Sequence, residues 1–279
     1  MRILVVGGAG YIGLAVSEVL RKLGHDVWVL DIKDQMRPFI LNLKIKYVVG
    51  SVIDLSLNNK IMAEFDTIIN LTGGLDDAKL YGMGPMFISQ ACSAMYLKRA
   101  SEHAKIVHIS TQYVYGSSAP GELEMHSERE HTRAECDYGI AHVMAEQAIS
   151  SDERAAILRF GTVWGNTRNT RWDTWGNHLH SLRRKGELID LYHPHRTISM
   201  LTIQNAVKVI QWVIEEDIAG TYNVADRVGL REDTAREFLG DYPYTNRALS
   251  EGFSIGMNCN RVKKAGFEFE DNTPEFEDE

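Results

Sequence analysis

Three glycines and one aspartate near the start of the chain have the spacing of a dinucleotide phosphate site. Gly7, Gly10 and Gly13 follow a short apolar run and precede an amphipathic segment, which predicts a tight turn between a strand and a helix. Glycine lets the backbone approach a pyrophosphate, whose charge the free N–H groups and the positive helix end stabilise. Asp31 ends the second apolar run, where a carboxylate accepts hydrogen bonds from the adenosine ribose hydroxyls. Because a carboxylate there repels a 2′-phosphate, we expect NAD rather than NADP.

A second group of reactive side chains lies in STQYVYG at 110–116 and YGIAH at 138–142. With these segments, the chain resembles the extended short-chain dehydrogenase/reductase family, especially nucleotide-sugar epimerases and dehydratases such as UDP-galactose 4-epimerase. The resemblance covers nearly the whole chain. It also includes, in order, GGAGYIG at 7–13, Asp31, NLTGG at 70–74, LRFGTVWG at 158–165, Arg196, TYNVAD at 221–226 and RVKKAGF at 261–267.

The resemblance implies a role for each residue of a catalytic group, Thr111, Tyr138 and His142. Thr111 is expected to hydrogen-bond the reacting oxygen of a sugar. Tyr138, as phenolate, is expected to take the hydroxyl proton while hydride passes to the nicotinamide, because an alcohol carbon loses hydride with difficulty unless its O–H proton leaves. A tyrosine of pKa about 10 needs a nearby cation for this task. In the family, a lysine four residues after the tyrosine supplies that cation and binds the nicotinamide ribose.

His142 stands at the position of that lysine. One helical turn places it on the Tyr138 face, so we expect it to contact the ribose. An imidazole of reference pKa about 6.5 is mainly neutral at pH 7 and stabilises a phenolate less than an ammonium does. Three interpretations follow: a working enzyme with an adjusted base, a slow enzyme, or a binding protein without turnover.

Other departures from the family narrow the reaction. The 4,6-dehydratases of the family have an Asp-Glu pair after the threonine, whereas this chain has Gln112 and Tyr113. Neither side chain can act as the acid that eliminates water, which disfavours the usual dehydratase route. In the family, an aspartate at the position of Ser51 contacts the adenine of the cofactor. We therefore expect Ser51 and Val52 to make the adenine contacts in this chain. Gly82 replaces an asparagine that supports the active site.

The resemblance also gives sets of expected binding residues. Arg196 is expected to pair with a substrate diphosphate, since a guanidinium suits a bidentate phosphate contact. The expected cofactor contacts are Gly7, Gly10, Tyr11, Ile12, Gly13, Asp31, Ser51, Val52, Leu71, Thr72, Gly73, Tyr138, His142 and Phe160. The expected substrate contacts are Thr111, Thr162, Asn177 and Arg196.

A loop that contains Arg168, Arg171, Trp172 and Trp175 has two interpretations. It either stacks a nucleobase or sugar, or consists of surface arginines and packed tryptophans. The histidine pairs at 178/180 and 193/195 do not share a helix face or are interrupted by proline, so we expect no metal site.

The elements that position these residues follow from alternating apolar and helical patterns. Short apolar runs separated by helix-length segments predict βαβ units in a doubly wound, parallel α/β sheet, the Rossmann arrangement. We expect an NAD-binding domain over 1–165 and a smaller substrate-binding lobe over 166–279, some of whose segments return to the main sheet. The predicted strands are 3–6, 27–30, 47–49, 67–71, 106–110, 156–159 and 221–224, and the predicted helices include 12–23, 175–185 and 203–215.

Composition narrows the class of protein. A net charge of −8 disfavours a nucleic-acid binder, and no apolar run reaches the ~18 residues of a membrane span. Three widely spaced cysteines without a CxxC pair indicate a reducing compartment, so we expect a cytoplasmic protein. Apolar positions over 83–98 and 143–149 allow a homodimer. The leading hypothesis is an NAD-dependent epimerase or redox enzyme that acts on a nucleoside diphosphate sugar by hydride transfer at a sugar carbon. The alternative is a catalytically impaired dinucleotide-binding sensor or scaffold.

Overall fold

Seven parallel strands form the central sheet, in the order β3 (Lys46–Val49), β2 (Asp26–Asp31), β1 (Arg2–Val6), β4 (Thr67–Asn70), β5 (Lys105–Thr111), β7 (Ala156–Phe160) and β11 (Gly220–Val224). The computed structural model describes residues 1–54, 64–73, 83–100, 103–118, 124–171, 173–247 and 253–271, with only the backbone for 83–89 and 100.

The central strands are continuous apolar runs because helices cover both faces of the sheet. Strands covered by helices on both faces are buried on both faces, and β5 and β7 are buried along their whole length. The order reverses between β1 and β4, so the carboxyl ends of these two strands border the crevice where doubly wound sheets bind ligands. The predicted fold class is confirmed, and each predicted strand of the central sheet is present.

Helices cover both faces of the sheet. Their bounds are α1 (Tyr11–Lys22), α2 (Arg37–Asn42), α3 (Met83–Ala100), α4 (Asp137–Ile149), α5 (Trp175–Lys185), α6 (Ile203–Glu215), α7 (Arg231–Leu239) and α8 (Asn260–Lys264). Helix α1 packs against α6, and α3 packs against α4. Among the described helices, none is long and apolar enough to cross a membrane.

The second half of the chain builds smaller sheets and also completes the central one. Strand β11 pairs with β7, and α6 packs on α1, so segments beyond residue 166 return to the main domain. The strands of the smaller sheets are β6 (Met125–His126), β8 (Thr162–Trp164), β9 (Ile189–Tyr192), β10 (Thr197–Thr202), β12 (Arg227–Leu230), β13 (Tyr244–Arg247) and β14 (Gly256–Met257). Strand β8 joins β10 before the boundary expected at residue 165, and that boundary stays a prediction.

Candidate active site

The glycine turn lies between β1 and α1 at the carboxyl end of the central sheet. Gly7 has a φ of +78°, its N–H donates to the carbonyl of Leu30 at 2.9 Å, and Gly10 N–H donates to the Gly7 carbonyl at 3.1 Å. A Cβ on Gly13 would lie 2.4 Å from the Gly7 oxygen, so only glycine allows this approach of helix and turn. The turn is a backbone cradle of the kind that a pyrophosphate requires.

Asp31 joins the end of β2 to this cradle. One carboxylate oxygen accepts the Ala9 N–H at 3.0 Å, and the other accepts the Lys33 N–H at 3.0 Å. An ionised carboxylate has about four lone-pair sites, so these two bonds leave acceptor capacity for ribose hydroxyls. Ser51 and Val52 follow β3 at the neighbouring position of the sheet edge, where Val52 is buried and the Ser51 hydroxyl faces the Ile53 amide.

A segment over 165–171 is tied to the glycine turn. The Tyr11 hydroxyl donates to the Gly165 carbonyl at 2.7 Å, and Asn169 donates its side-chain amide to the Ala9 carbonyl at 3.0 Å. Arg168 pairs with Glu18 of α1 at 3.0 Å. Tyr11, expected as a cofactor contact, therefore uses its hydroxyl to anchor this segment, while Ile12 beside it is half-buried at the start of α1.

The basic aromatic loop is mostly engaged within the protein. Arg171 pairs with Asp173 at 2.8 Å, and Trp175 packs against Phe238, with ring centroids 6.2 Å apart. These contacts favour the interpretation of surface arginines and packed tryptophans over a stacking platform. Trp172 lies outside the described residues.

Asn177 and Thr162 are both engaged by neighbouring groups. The fully buried Asn177 carboxamide accepts the Gly165 N–H at 2.8 Å and donates to the Arg171 carbonyl at 2.7 Å. The Thr162 hydroxyl accepts a hydrogen bond from Gln112 at 3.0 Å. Asn177 thus holds the segment that covers the glycine turn, and the predicted contacts of both residues with a substrate stay predictions.

Arg196 directly precedes β10, the central strand of a three-stranded sheet. Its residue is 7% exposed, its N–H donates to the His193 carbonyl at 3.1 Å, and its carbonyl accepts the Arg231 N–H at 2.9 Å. Burial lowers the pKa of the Arg231 guanidinium, and the nearby charge of Arg196 lowers it further. Arg196 and Arg231 therefore lie close together, and Arg231 is near Tyr113.

Thr111 and Tyr138 come together where β5 ends and α4 begins. Thr111 is the last residue of β5 and pairs in the sheet with Phe160, the last residue of β7. Tyr138 stacks edge-to-face on Tyr113, with centroids 5.9 Å apart. Burial raises the pKa of Tyr138 to about 12, the nearby Tyr113 adds to this, and a hydrogen bond with Thr111 opposes it. The hydroxyl of Tyr138 is therefore protonated at neutral pH.

His142 lies one turn after Tyr138, as the sequence predicts, with ring centroids 4.7 Å apart. Its ring is 3% exposed, and burial, helped by His108, lowers the pKa of His142 well below its ordinary value. The ring is therefore neutral. Its Nδ1 atom is buried without a hydrogen-bond partner in the described structure, so the site contains a polar atom that fits a ligand hydroxyl.

Polar side chains that the sequence reasoning missed surround His142. Gln90 of α3 contacts the His142 ring at 3.1 Å, and Asn70 of β4 contacts His108 of β5 at 3.2 Å. Burial lowers the pKa of His108 to about 4. His108, between the apolar residues of IVHI at 106–109, was the available signal for this cluster, whereas nothing in the sequence pairs Gln90 with His142.

The loop after β4 carries three expected cofactor contacts, Leu71, Thr72 and Gly73. A Cβ added to Gly7 would lie only 2.7 Å from the Leu71 carbonyl oxygen, so this loop packs directly against the glycine turn. Thr72 donates to the Asn70 side-chain oxygen at 2.8 Å, and the Gly73 carbonyl accepts a hydrogen bond from Gln90. Gly74 and Gly82 lie outside the described residues.

A buried ion pair between Arg159 and Glu146 joins β7 to α4 next to the site. Arg159 of β7 donates to both oxygens of Glu146 at 3.0 and 2.7 Å, and Ser110 donates to the same carboxylate at 2.6 Å. The bidentate geometry and the additional bond compensate the burial of the two charges. The pair links α4 to the end of β5, and so holds Tyr138 near Thr111.

Comparison with known proteins gives a family match and structural matches. Residues 3–225 match the model of the NAD dependent epimerase/dehydratase family. A dTDP-glucose 4,6-dehydratase from Streptomyces niveus is 33% identical over 141 residues, which are 43% of this chain and 41% of that protein. The match thus spans less than half of the curated relative.

Solved structures share the fold at low identity. A UDP-glucose 4-epimerase from Thermotoga maritima, solved with UDP-glucose, superposes with a TM-score of 0.79 at 18% identity, over 95% of this chain and 92% of that one. A dTDP-glucose 4,6-dehydratase from Bacillus anthracis, solved with NAD, gives a TM-score of 0.78 at 16% identity, over 95% and 89% of the two chains. A UDP-glucuronic acid 4-epimerase from Bacillus cereus, solved with UDP-glucuronic acid and NAD, gives 0.76 at 18%, over 95% and 92%.

Proposed function

Because the chain belongs to the NAD-dependent epimerase/dehydratase family, as the resemblance in its motifs predicted, we propose that it transfers hydride at a sugar carbon of a nucleoside diphosphate sugar. NAD is the cofactor of this family, which agrees with the prediction from Asp31 and the glycine turn. The observation that carries the proposal is the Thr111–Tyr138 pair, which stands at the same sheet edge as the glycine cradle. Proton transfer and hydride transfer need these two features close together.

The described residues fit NAD at two places. The glycine turn brings backbone too close for a Cβ, which would lie 2.7 Å from the Leu71 oxygen at Gly7 and 2.4 Å from the Gly7 oxygen at Gly13, and the buried Nδ1 atom of His142 is available to donate or accept one hydrogen bond. Asp31 would hold the adenosine ribose, and Tyr138 and His142 would hold the nicotinamide ribose. When bound, NAD supplies a hydride acceptor.

The remaining chemistry belongs to side chains of this protein. Tyr138, as phenolate, would take the O–H proton of the sugar as the C–H carbon gives up its hydride to that acceptor, so that the sugar alcohol would become a carbonyl. Thr111 hydrogen-bonds the same sugar oxygen and the Tyr138 hydroxyl, so it holds the two oxygens in line. Arg196 would bind the diphosphate, which orients the sugar toward this pair. Return of the hydride to the other face of the carbonyl would give an epimer, whereas release of the keto sugar would give net oxidation.

The dehydratase route is less well supported by the residues beside Thr111. Gln112 is committed to Thr162, and burial raises the pKa of the Tyr113 hydroxyl above its ordinary value. Neither group supplies the carboxylic acid that water elimination requires. We therefore place epimerisation or simple redox ahead of elimination.

A second candidate function rests on the neutral state of the site. His142 carries no charge, and the pKa of Tyr138 is about 12, so little phenolate exists at neutral pH. A protein that binds NAD and a nucleotide sugar without turnover, acting as a sensor or scaffold, would tolerate this arrangement.

Calorimetry combined with product analysis separates the two functions. The protein is titrated with NAD and then with UDP-, dTDP- and GDP-sugars, and each bound sugar is incubated and examined by proton NMR. A new epimer or keto sugar that is absent with Tyr138→Phe supports the enzyme. Binding of both ligands without any product in wild type supports the sensor, and absence of NAD binding contradicts both.

The predicted homodimer also remains a proposal. Exposed apolar side chains lie on the two packed helices α3 and α4, namely Met95, Ile140 and Met144, which are 50%, 39% and 45% exposed. Apolar side chains on adjacent helices suit a symmetric contact with a second copy. Sedimentation of wild type and of Met144→Glu tests it: a dimer that the charge dissociates supports the contact, and a monomeric wild type contradicts it.

A further inference from the structure

Gln90 projects from α3 into the buried space between the loop after β4 and helix α4. Its side chain is fully buried, and its Nε2 atom donates to the Gly73 carbonyl. A backbone carbonyl can only accept, so this bond fixes the orientation of the carboxamide. With the opposite orientation, the Gln90 oxygen would face the Gly73 oxygen without a proton between them.

The same Nε2 atom lies 3.1 Å from Nε2 of His142. An amide NH₂ group has two hydrogens and no acceptor, so the second hydrogen points to the imidazole. The His142 Nε2 atom must then accept this hydrogen, which means that it carries none of its own. In a neutral ring, the proton therefore resides on Nδ1.

We infer that Gln90 is a positioning residue that holds His142 as the neutral Nδ1–H tautomer, and so replaces the usual cation of this site by an uncharged hydrogen-bond donor. The buried Nδ1 atom that has no partner in the described structure is the donor which this tautomer presents. This inference rests on the proposed function, because it assigns that donor to a hydroxyl of the bound cofactor or substrate. It adds a residue that neither the family match nor the sequence motifs indicate.

The groups around His142 agree with an uncharged ring. Protonation would place an N–H on Nε2, directly against the Gln90 NH₂, so Gln90 opposes the cation as well as selecting the tautomer. His108 of β5 faces the ring, with centroids 5.8 Å apart, and Tyr138 faces it from α4. Glu146, one turn further along α4, is bound to Arg159 and Ser110.

His108 is held in a parallel way from the other side. The Asn70 oxygen accepts hydrogen bonds from the Thr72 N–H at 3.2 Å and hydroxyl at 2.8 Å, which fixes the Asn70 carboxamide. Its NH₂ group then donates to Nδ1 of His108 at 3.2 Å, and the His108 proton resides on Nε2. Two carboxamides thus keep two adjacent imidazoles neutral, so neither ring supplies a charge that would aid Tyr138.

The test is the nitrogen-15 NMR spectrum of the histidine rings in the intact protein, with His142 assigned by comparison with His142→Gln. We expect the wild-type His142 ring to show a protonated Nδ1 and an unprotonated Nε2, without titration from pH 6 to pH 8. A protonated Nε2 in wild type, or a charged ring, overturns the inference. This outcome is visible in the wild-type spectrum and does not depend on how any variant folds.

Variants at residue 90 then test the cause. Gln90→Leu removes both hydrogen bonds at similar volume, and we expect a mixture of tautomers. Gln90→Glu replaces the NH₂ group by a carboxylate, which favours the charged ring, so we expect His142 to carry a proton on Nε2 as well as on Nδ1. The matched control is Gln147→Leu, an exposed glutamine on α4, which should leave the ring unchanged. An unchanged tautomer in both residue-90 variants overturns the inference.

Functional data keep this inference separate from the proposed function. If Gln90 acts through His142, the rising limb of the pH–rate profile moves to lower pH in Gln90→Glu, an effect that loss of packing does not produce. If the tautomer is as expected but no nucleotide sugar is turned over, the proposed function fails and the positioning role of Gln90 stands.

Discussion

Replacement of His142 by lysine should accelerate the hydride step. Burial holds the pKa of Tyr138 near 12, so at pH 7 only on the order of one molecule in 10⁵ has the phenolate. A cation within about 4–6 Å lowers such a pKa by roughly one to three units, which raises the phenolate fraction about 10- to 1,000-fold. The site at residue 142 is buried, so the ammonium itself is desolvated, and we expect a result near the lower end, about tenfold.

The assay measures the rise of NADH absorbance in a single turnover, after NAD-loaded protein is mixed with a nucleotide sugar that it binds. His142→Met is the matched control, since methionine has similar length and no charge. The rate should also rise with pH, because the deprotonated form of Tyr138 is the base, and in His142→Lys this rise should occur at lower pH. Equal rates and identical pH profiles for the lysine and methionine variants would refute the reasoning that the missing cation limits the base.

Three further predictions concern the fold around the site. Gly13→Ala should weaken NAD binding at least about tenfold in calorimetry, because the new Cβ would meet the Gly7 oxygen at 2.4 Å. The control Gly229→Ala should bind NAD normally, because its Cβ would make only an ordinary contact with Thr234 Oγ1 at 3.9 Å. Arg159→Met should cost about 3–5 kcal/mol of unfolding free energy in urea, since it leaves Glu146 charged and buried, and a loss below about 1 kcal/mol would contradict the role of the pair. Burial lowers the pKa of His108 to about 4, so below pH 6.5 the unfolded chain binds more protons at this residue than the folded protein does. The free energy of unfolding should therefore fall by up to about 3 kcal/mol as the pH is lowered from 6.5 to 4. In His108→Leu this acid-side slope should be shallower, and an unchanged slope would contradict the assignment.

The elements of the central sheet were predictable because their signals are local. Each buried strand is a short apolar run, and the turn at Gly7 has a shape that only glycine residues satisfy. The motifs STQYVYG and YGIAH were sufficient to predict that Thr111 and Tyr138 lie together. The spacing of one helical turn was sufficient to place His142 beside Tyr138. Helices α5 and α6 begin and end at the residues that the pattern predicts.

The environment of the site depends on contacts that sequence spacing does not contain. Gln90 and His142 are 52 residues apart and meet only because α3 packs on α4. Asn177 and Tyr11 are polar side chains that the motifs assign to ligands, yet the fold uses both to hold the segment near Gly165. Most of the small strands outside the central sheet escaped prediction because they lack the continuous apolar runs and helix-length spacers that mark the central strands.

The most direct test of the central claim is the transient NADH signal when NAD-loaded wild type and Tyr138→Phe meet the same nucleotide sugar. Our account predicts a signal in wild type that disappears in Tyr138→Phe while both proteins bind NAD and the sugar with similar affinity. An equal signal in the two proteins would contradict the role of Tyr138, and binding without any signal in either protein would contradict hydride transfer itself.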